Sequence, residues 1–223
     1  MSKIKTLTQL QDALDSEMGW RVKEIADFKN VSKSNGATRN TFIRAGVALV
    51  YAHWEGFIKR SSESYLNYVE NQGLIYRELK TCFAVFGLKG KLWTLVEGRK
   101  ANPNIDALDF VFLEMDRPAK MAMSSAINTE ANLKSPVFSN IAASLAIDTS
   151  KYETRFNLID ESLVKRRNII AHGEYLDLAL DDFLVLADDV IQLMRDYKTD
   201  VENAASLKHY KRPTPLLATP RVE

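Results

Sequence analysis

Apolar residues recur at intervals of three and four along most of the chain, which is the spacing of one buried helix face. Near the start, the pattern predicts a long amphipathic helix from about Leu7 to Lys29 and a second from about Ala37 to Asn71. In the second helix, Gly46 and Gly56 share a stripe with His53, which predicts close approach by a neighbouring helix. The first helix carries the stripe Leu7, Leu10, Leu14, Met18, Val22, Ile25 and Phe28.

The pattern is less regular over residues 74–115, where glycine and proline interrupt it. We expect two short helices there, about Leu74 to Phe86 and Asp106 to Glu114, with Leu88 to Glu97 undecided between helix and loop. Residues 118–132 are small and polar and predict a mobile loop. The basic edge of this lobe is more typical of a solvated surface than of RNA-backbone contact; it consists of Lys89, Lys91, Arg99 and Lys100.

Helical periodicity returns after this lobe. Ser135-Pro136 is typical of an N-cap followed by the first helical residue, and a short helix should span Val137 to Ile147. A further helix should begin near Asn157 or Asp160, either of which can cap it. A last long helix should run from a cap at Asp181 to about Ala205.

These elements predict an all-α protein, because the strand signal is poor throughout. We expect an antiparallel helical bundle with a small helical lobe inserted between its second and penultimate main helices. Residues 1–207 should form a single domain. The proline-rich segment 208–223 should be an extended or disordered tail.

Composition narrows the function classes. The net charge of +1 excludes a global basic field of the kind that coats nucleic acid, so any RNA site must be local. The single cysteine, Cys82, excludes an internal disulfide and a cysteine-based zinc site. The first twenty residues lack a signal-peptide pattern, and the longest apolar run, Ala45 to Ala52, is too short for a bilayer. We therefore expect a soluble cytoplasmic protein that needs no cofactor or metal.

The candidate chemistry is concentrated in the segment Lys165 to Glu174. Arginine binds phosphate through a planar fork of donors, and histidine can move a proton near neutral pH. Arg167, Asn168 and His172 could therefore combine a phosphate clamp with an acid/base. The same composition also suits an ordinary helix end, because Arg and His complement the helix dipole and Gly173 would end the helix.

Helical spacing assigns the side chains of this segment to different faces. Glu161, Lys165, Asn168 and His172 should share one face, and Asn168 lies four residues before His172, where it can orient the imidazole or hold a phosphate oxygen. Arg167 is offset from His172 by about 140° but has a side chain long enough to reach a phosphate over the helix end. Arg166 points elsewhere and is an accessory or ion-pair candidate.

Arg167-Asn168-x-x-x-His172, flanked by Ile170-Ala171 and Gly173-Glu174, resembles the R-x(4–6)-H signature of the HEPN superfamily. Residues 52–59, with the sequence AHWEGFIK, resemble the second-helix segment of one prokaryotic HEPN nuclease group. In that group an Asn-Leu segment and a short helix precede the catalytic helix, and here residues 132–133 and 137–147 take their place. The resemblance covers roughly residues 40–200.

This resemblance implies a metal-independent endoribonuclease that acts as a homodimer with facing motif helices. The catalytic residues would be Arg167 and His172, supported by Asn168, with Glu174, Arg166 and His53 as accessory candidates. His53 equally fits a core histidine that is bonded to a carboxylate or carbonyl. The resemblance also suggests a toxin–antitoxin or antiviral defence role with a neutralising antitoxin or defence partner. The alternative class is a non-catalytic helical interaction module.

Overall fold

The computed structural model describes residues 3–33, 36, 38–97, 100–113, 115–121 and 126–213, apart from the side chains of residues 91 and 92. This part of the chain contains helices, single helical turns and two isolated β-bridges, and no β-strand. A π-helical stretch, Leu158–Lys165, runs directly into α6, and we call the two together the motif helix. The α-helices are α1 Leu7–Ser32, α2 Arg39–Glu70, α3 Thr81–Glu97, α4 Ala101–Leu113, α5 Ser135–Ser144, α6 Arg166–Ala171 and α7 Leu180–Ser206.

Contacts between helices give the direction of each main helix. Asn67, near the end of α2, accepts a hydrogen bond from the Ile4 N–H just before α1, so these two helices run antiparallel. Lys29 and Asp15 of α1 pair with Asp188 and Lys198 of α7, which makes α1 and α7 antiparallel as well.

The motif helix completes the bundle. Arg167 contacts Tyr51 of α2, and further along the chain Glu174 contacts Arg44, so the motif helix runs antiparallel to α2. The four main helices are α1, α2, the motif helix and α7, and they alternate in direction. The lobe of α3 to α5 is inserted between α2 and the motif helix. The predicted all-α class and inserted lobe are confirmed.

Apolar stripes explain this packing. Leu10, Leu14 and Ile25 of α1 are fully buried, in agreement with its predicted stripe, and Trp54 and Phe57 of α2 are fully buried as well. The exposed faces of the long helices are mostly polar, with Trp20 and Val185 among the exceptions. None of the helices in the described ranges is long and apolar enough to cross a membrane.

The predicted helices of the lobe need correction. Residues 74–80 form a single 3₁₀ turn, Tyr76–Glu78, rather than the start of a helix, and α3 then continues through Gly87 to Glu97. A Cβ at Gly87 would overlap the Lys120 carbonyl oxygen and the Tyr76 hydroxyl, so this glycine permits close packing instead of ending a helix. Of the predicted basic edge, Lys89 and Lys100 are exposed; Arg99 and the side chain of residue 91 lie outside the described residues.

The segment expected to be a mobile loop is anchored where the structure describes it. Thr129 donates a hydrogen bond of 2.6 Å to Glu55 of α2, and the Leu133 N–H donates to the Tyr51 hydroxyl at 2.9 Å. Ile127 is buried. Residues 122–125 lie outside the described part of the chain.

Three of the candidate helix caps are placed differently. At α5 the N-cap is Lys134, and Ser135 is the first helical residue. In the motif helix Asn157, one of the two candidates, is the N-cap of the π-helical stretch, but its side chain makes no capping hydrogen bond. Asp160 does not cap its own helix; its carboxylate accepts hydrogen bonds from the N–H and the hydroxyl of Ser135, at 2.7 and 2.5 Å, at the start of α5. This joins the motif helix to α5. At α7 the N-cap is Ala179, and Asp181 lies in the first turn.

The first residues of the predicted tail also differ from expectation. Tyr210 is buried against Tyr68, and the Lys80 N–H donates to the Tyr210 carbonyl at 2.8 Å. Lys211 forms an isolated antiparallel bridge with Leu79. Residues 208–213 therefore pack on the lobe, whereas residues 214–223 lie outside the described residues.

Gly46 tests the contact between α2 and α7. A Cβ at Gly46 would lie 2.5 Å from the Phe183 ring, whereas a Cβ at Gly19 of α1 would meet nothing within 4 Å. Replacing glycine by alanine raises helix propensity equally at both positions. The difference in stability between the two variants therefore measures the overpacking against Phe183. We expect Gly46→Ala to be less stable than Gly19→Ala by about 1–3 kcal/mol in urea unfolding. Equal stability of the two variants would contradict this packing.

Candidate functional site

The motif helix ends at a glycine in the left-handed conformation. Gly173 has φ of 78°, which is unstrained only for glycine. Its N–H donates to the Ile170 carbonyl at 3.1 Å, and the Glu174 N–H donates to the Ile169 carbonyl at 3.0 Å. This pair of hydrogen bonds is a Schellman motif, and it leaves His172 exposed at the helix end. The prediction that Gly173 ends this helix is confirmed.

An open pocket of about 390 Å³ lies along this helix end. Asn168, His172 and Glu174 line it together, so the structure brings these three candidate residues to one place. Glu161 and Lys165 also line it, which confirms the predicted shared face; their side chains form an exposed ion pair at 2.6 Å. The remaining lining residues are Lys134, Asp160 and Ile169.

Arg167 is held beside the pocket rather than in its wall. Its guanidinium carbon lies 3.8 Å from the centroid of the Tyr51 ring, at cation–π distance. Its Nη2 donates a hydrogen bond of 3.3 Å to the Ala131 carbonyl. The loop that supplies Ala131 also supplies Lys134 to the pocket, so Arg167 borders the pocket on the side of α2.

Tyr51 fixes the orientation of this arginine. Burial raises the pKa of the Tyr51 hydroxyl, so the ring stays a neutral phenol beneath the guanidinium. The hydroxyl in turn accepts a hydrogen bond from the Leu133 N–H. An arginine has five N–H donors, and Ala131 occupies one of them. The fork therefore retains donors beyond the one that Ala131 accepts, and among them the buried Nε–H has no hydrogen-bond partner in the part of the chain that the structure describes.

Arg166 points away from this pocket. It lies in a separate groove between the motif helix and α7, beside Asp182 and Asp189. This position agrees with the expectation that Arg166 points elsewhere.

The structure does not bring His53 to the motif. His53 lies two residues after Tyr51, so the two side chains leave α2 about 200° apart. His53 is buried against α1, with its Nε2 3.0 Å from a Glu24 carboxylate oxygen and its ring in T-shaped contact with Trp20. Burial lowers the pKa of His53 although Glu24 opposes the shift. These contacts match the alternative of a core histidine with a carboxylate partner.

The sequence interpretation missed the residues of α2 that surround the motif. Arg44 donates a hydrogen bond of 3.0 Å to the Glu174 carbonyl and lies 5.4 Å from the Tyr175 ring centroid. Arg44 and Tyr51 are seven residues apart, and this spacing places them on one helix face. The spacing is a signal that could have identified them, once the motif helix was known to pack there. Lys134 was also missed.

The arrangement can bind an anionic group and move a proton. It offers the Arg167 fork, the Lys134 ammonium group and the exposed His172 imidazole, whereas Lys165 is paired with Glu161. Within the described ranges, no group of three or more His, Cys, Asp or Glu side chains is placed to hold a metal ion.

Comparison with known proteins places the chain in a family. No curated protein and no solved structure matches it. The family model described as RiboL-PSP-HEPN matches residues 16–203, which include most of α1 and α7 and the whole of α2 and the motif helix. The match therefore covers both the bundle and the Arg167-to-His172 segment. The chain belongs to the RiboL-PSP-HEPN family, within the HEPN superfamily.

Proposed function

We propose that this protein is a metal-independent endoribonuclease whose reaction depends on Arg167 and His172. HEPN domains are commonly ribonucleases, and this chain carries an intact Arg-Asn-x-x-x-His segment. The observation that carries the proposal is the placement of that segment. Asn168 and His172 line one open pocket at the helix end, and Arg167 is fixed at its border with donors unused.

The proposed reaction uses the 2′-hydroxyl of the RNA as nucleophile. His172 removes the proton from this hydroxyl, and the 2′-oxygen forms a bond to phosphorus. The bond from phosphorus to the 5′-oxygen breaks, and that oxygen takes a proton from an acid. The products are a 2′,3′-cyclic phosphate and a 5′-hydroxyl. Asn168, one turn before His172, supports the imidazole or a phosphate oxygen.

A second acid/base group is needed, because one histidine cannot accept and donate a proton at the same instant. His172 is the only histidine that lines this pocket. A two-fold homodimer would supply a second copy, so that the partner subunit's His172 protonates the leaving oxygen. The open pocket and the exposed imidazole leave room for such an approach.

Arg167 stabilises the negative charge that develops on the phosphorane. A donor that is already oriented before the reaction costs no reorganisation, and this is the basis of electrostatic catalysis. The Tyr51 ring and the Ala131 carbonyl hold the guanidinium in this way.

The second candidate is a non-catalytic interaction module. It is favoured by the same contacts of Arg167, because a guanidinium that joins α2 to the loop at Ala131 has a structural use without any substrate. Degradation of generic RNA in EDTA separates the two. The resemblance to prokaryotic HEPN nucleases suggests a toxin–antitoxin or defence system as its setting. We propose a neutralising partner, since an unrestrained ribonuclease would degrade the RNA of its own cell.

The first prediction concerns the motif residues. His172→Ala and Arg167→Ala should each lower the cleavage rate by about 10²–10⁴. Arg166→Ala, at the neighbouring arginine in another groove, should keep most of the activity.

Folding needs a control, because Arg167 also packs on Tyr51. Circular dichroism reports whether each variant is folded, and Arg167→Lys keeps the positive charge while it removes the planar fork. Induced expression should be toxic for the wild type and harmless for His172→Ala. An essential Arg166 with a dispensable Arg167 would contradict the assignment.

A second prediction concerns metal and product chemistry. Cleavage should persist in EDTA, and mass spectrometry should show cyclic phosphate and 5′-hydroxyl ends. DNA and RNA with 2′-O-methyl at the cut site should resist, because both lack the nucleophile. A 5′-phosphate product, or activity lost in EDTA and restored by magnesium, would overturn the mechanism.

A third prediction concerns assembly. Light scattering at micromolar concentration should report about 51 kDa, twice the chain mass of 25.3 kDa. Closed two-fold dimers are the commonest assembly, and the reaction needs two histidines. A monomer that still cuts RNA would contradict the shared site.

A further inference from the structure

Tyr175 is an exposed aromatic residue next to the proposed catalytic histidine. It follows His172 by three residues, so the two Cα atoms are separated by at most roughly 11 Å. Its side chain is 69% exposed. The ring takes no part in the core, and neither the motif nor the proposed reaction explains it.

The Tyr175 ring is nevertheless held in place. The Arg44 guanidinium carbon lies 5.4 Å from the ring centroid, while an Nη of the same group donates to the Glu174 carbonyl at 3.0 Å. The Asn40 amide approaches the Tyr175 hydroxyl at 3.5 Å. One arginine thus fixes both the backbone before the ring and the ring itself, and much of the ring surface remains open to solvent.

The surroundings of this ring are polar. Asn40 and Glu174 are exposed, and the adjacent pocket is lined by charged side chains of both signs, with Lys134 and Lys165 as its cations. The core of a protein interface would bring further exposed apolar side chains. Such residues cluster instead in the lobe, where Trp93, Val96 and Phe112 are exposed. A planar ring next to cationic side chains is the combination with which proteins bind single-stranded nucleic acid.

We propose that Tyr175, backed by Arg44, is the stacking platform for the nucleobase of a nucleotide adjacent to the scissile phosphate of single-stranded RNA. The proposal rests on the proposed ribonuclease function and names its substrate as unpaired RNA. Stacking tolerates any base, so this site determines the affinity for RNA and the position of the strand, and it gives no sequence preference.

The test measures RNA binding separately from cleavage. All variants carry His172→Ala to slow cleavage, and a gel checks that the fluorescently labelled single-stranded RNA stays intact during the binding measurement. The variants are Tyr175→Leu, which removes the ring; Tyr175→Phe, which keeps it; and Phe112→Leu, a matched control at an aromatic residue that is 71% exposed on α4. Each binds the intact oligonucleotide and a series in which one nucleotide at a time is abasic, at fixed salt.

Removing the Tyr175 ring and removing the base that stacks on it should weaken RNA binding in a non-additive way. Tyr175→Leu should weaken binding about 5- to 150-fold, while Tyr175→Phe and Phe112→Leu should bind like the parent. One abasic position should weaken the parent by a similar factor and weaken Tyr175→Leu no further, because both changes remove the same contact. Unchanged binding by Tyr175→Leu, or equal abasic losses in parent and variant at every position, would overturn the proposal.

Two further outcomes separate base stacking at Tyr175 from the proposed ribonuclease function. If Tyr175→Leu turns a dimer into a monomer in light scattering and shows no coupling to any base, the ring belongs to a protein interface and the proposal fails. If the coupling is found but the wild type cuts no RNA, the nuclease function fails while base stacking at Tyr175 stands.

Discussion

The stacking of the Arg167 guanidinium on the Tyr51 ring is the contact on which the arrangement of the site depends. It joins the motif helix to α2 at the point where the loop before α5 also meets α2. The Ala131 carbonyl receives a donor from the arginine, and the Tyr51 hydroxyl receives one from Leu133. A short set of polar contacts thereby sets the position of the arginine relative to the pocket.

This contact needs support from both sides, because a cation–π pair contributes only about 0.5–2 kcal/mol. Tyr51 is buried on a helix of the core, and Glu55, one turn further on, ties Thr129 of the same loop. On the other side, Asp160 fixes the motif helix to the start of α5. The Arg167 side chain therefore lies between elements that are themselves anchored.

The bundle separates the chemistry from the core. The motif helix buries Ile159, Leu163 and Val164 and presents Asn168 and His172 to solvent. Its first half is π-helical, a form that is frequent at functional sites. The Schellman motif at Gly173 ends the helix directly after the histidine. Substitutions of Asn168 and His172 should consequently cost little folding stability.

Local rules were enough for a large part of this protein. The apolar stripes of α1 and α2 predicted both helices within a few residues, because helical burial follows from spacing alone. Gly173 and the shared face of Asn168 and His172 followed from backbone conformation and helical geometry. The resemblance around Arg167 indicated the family that the comparison then showed.

Tertiary structure decided the rest, because it depends on residues far apart in the chain. The sequence predicts a helix end at Gly87, but in the structure this glycine lies inside a helix that packs against the Lys120 backbone. The sequence also makes Asp160 a candidate cap for its own helix, but its carboxylate binds Ser135 of α5 instead. The partners of the site, Tyr51 and Arg44, lie more than a hundred residues before the motif. Spacing along one helix determines which face a side chain occupies; only the packing of helices determines what that face meets.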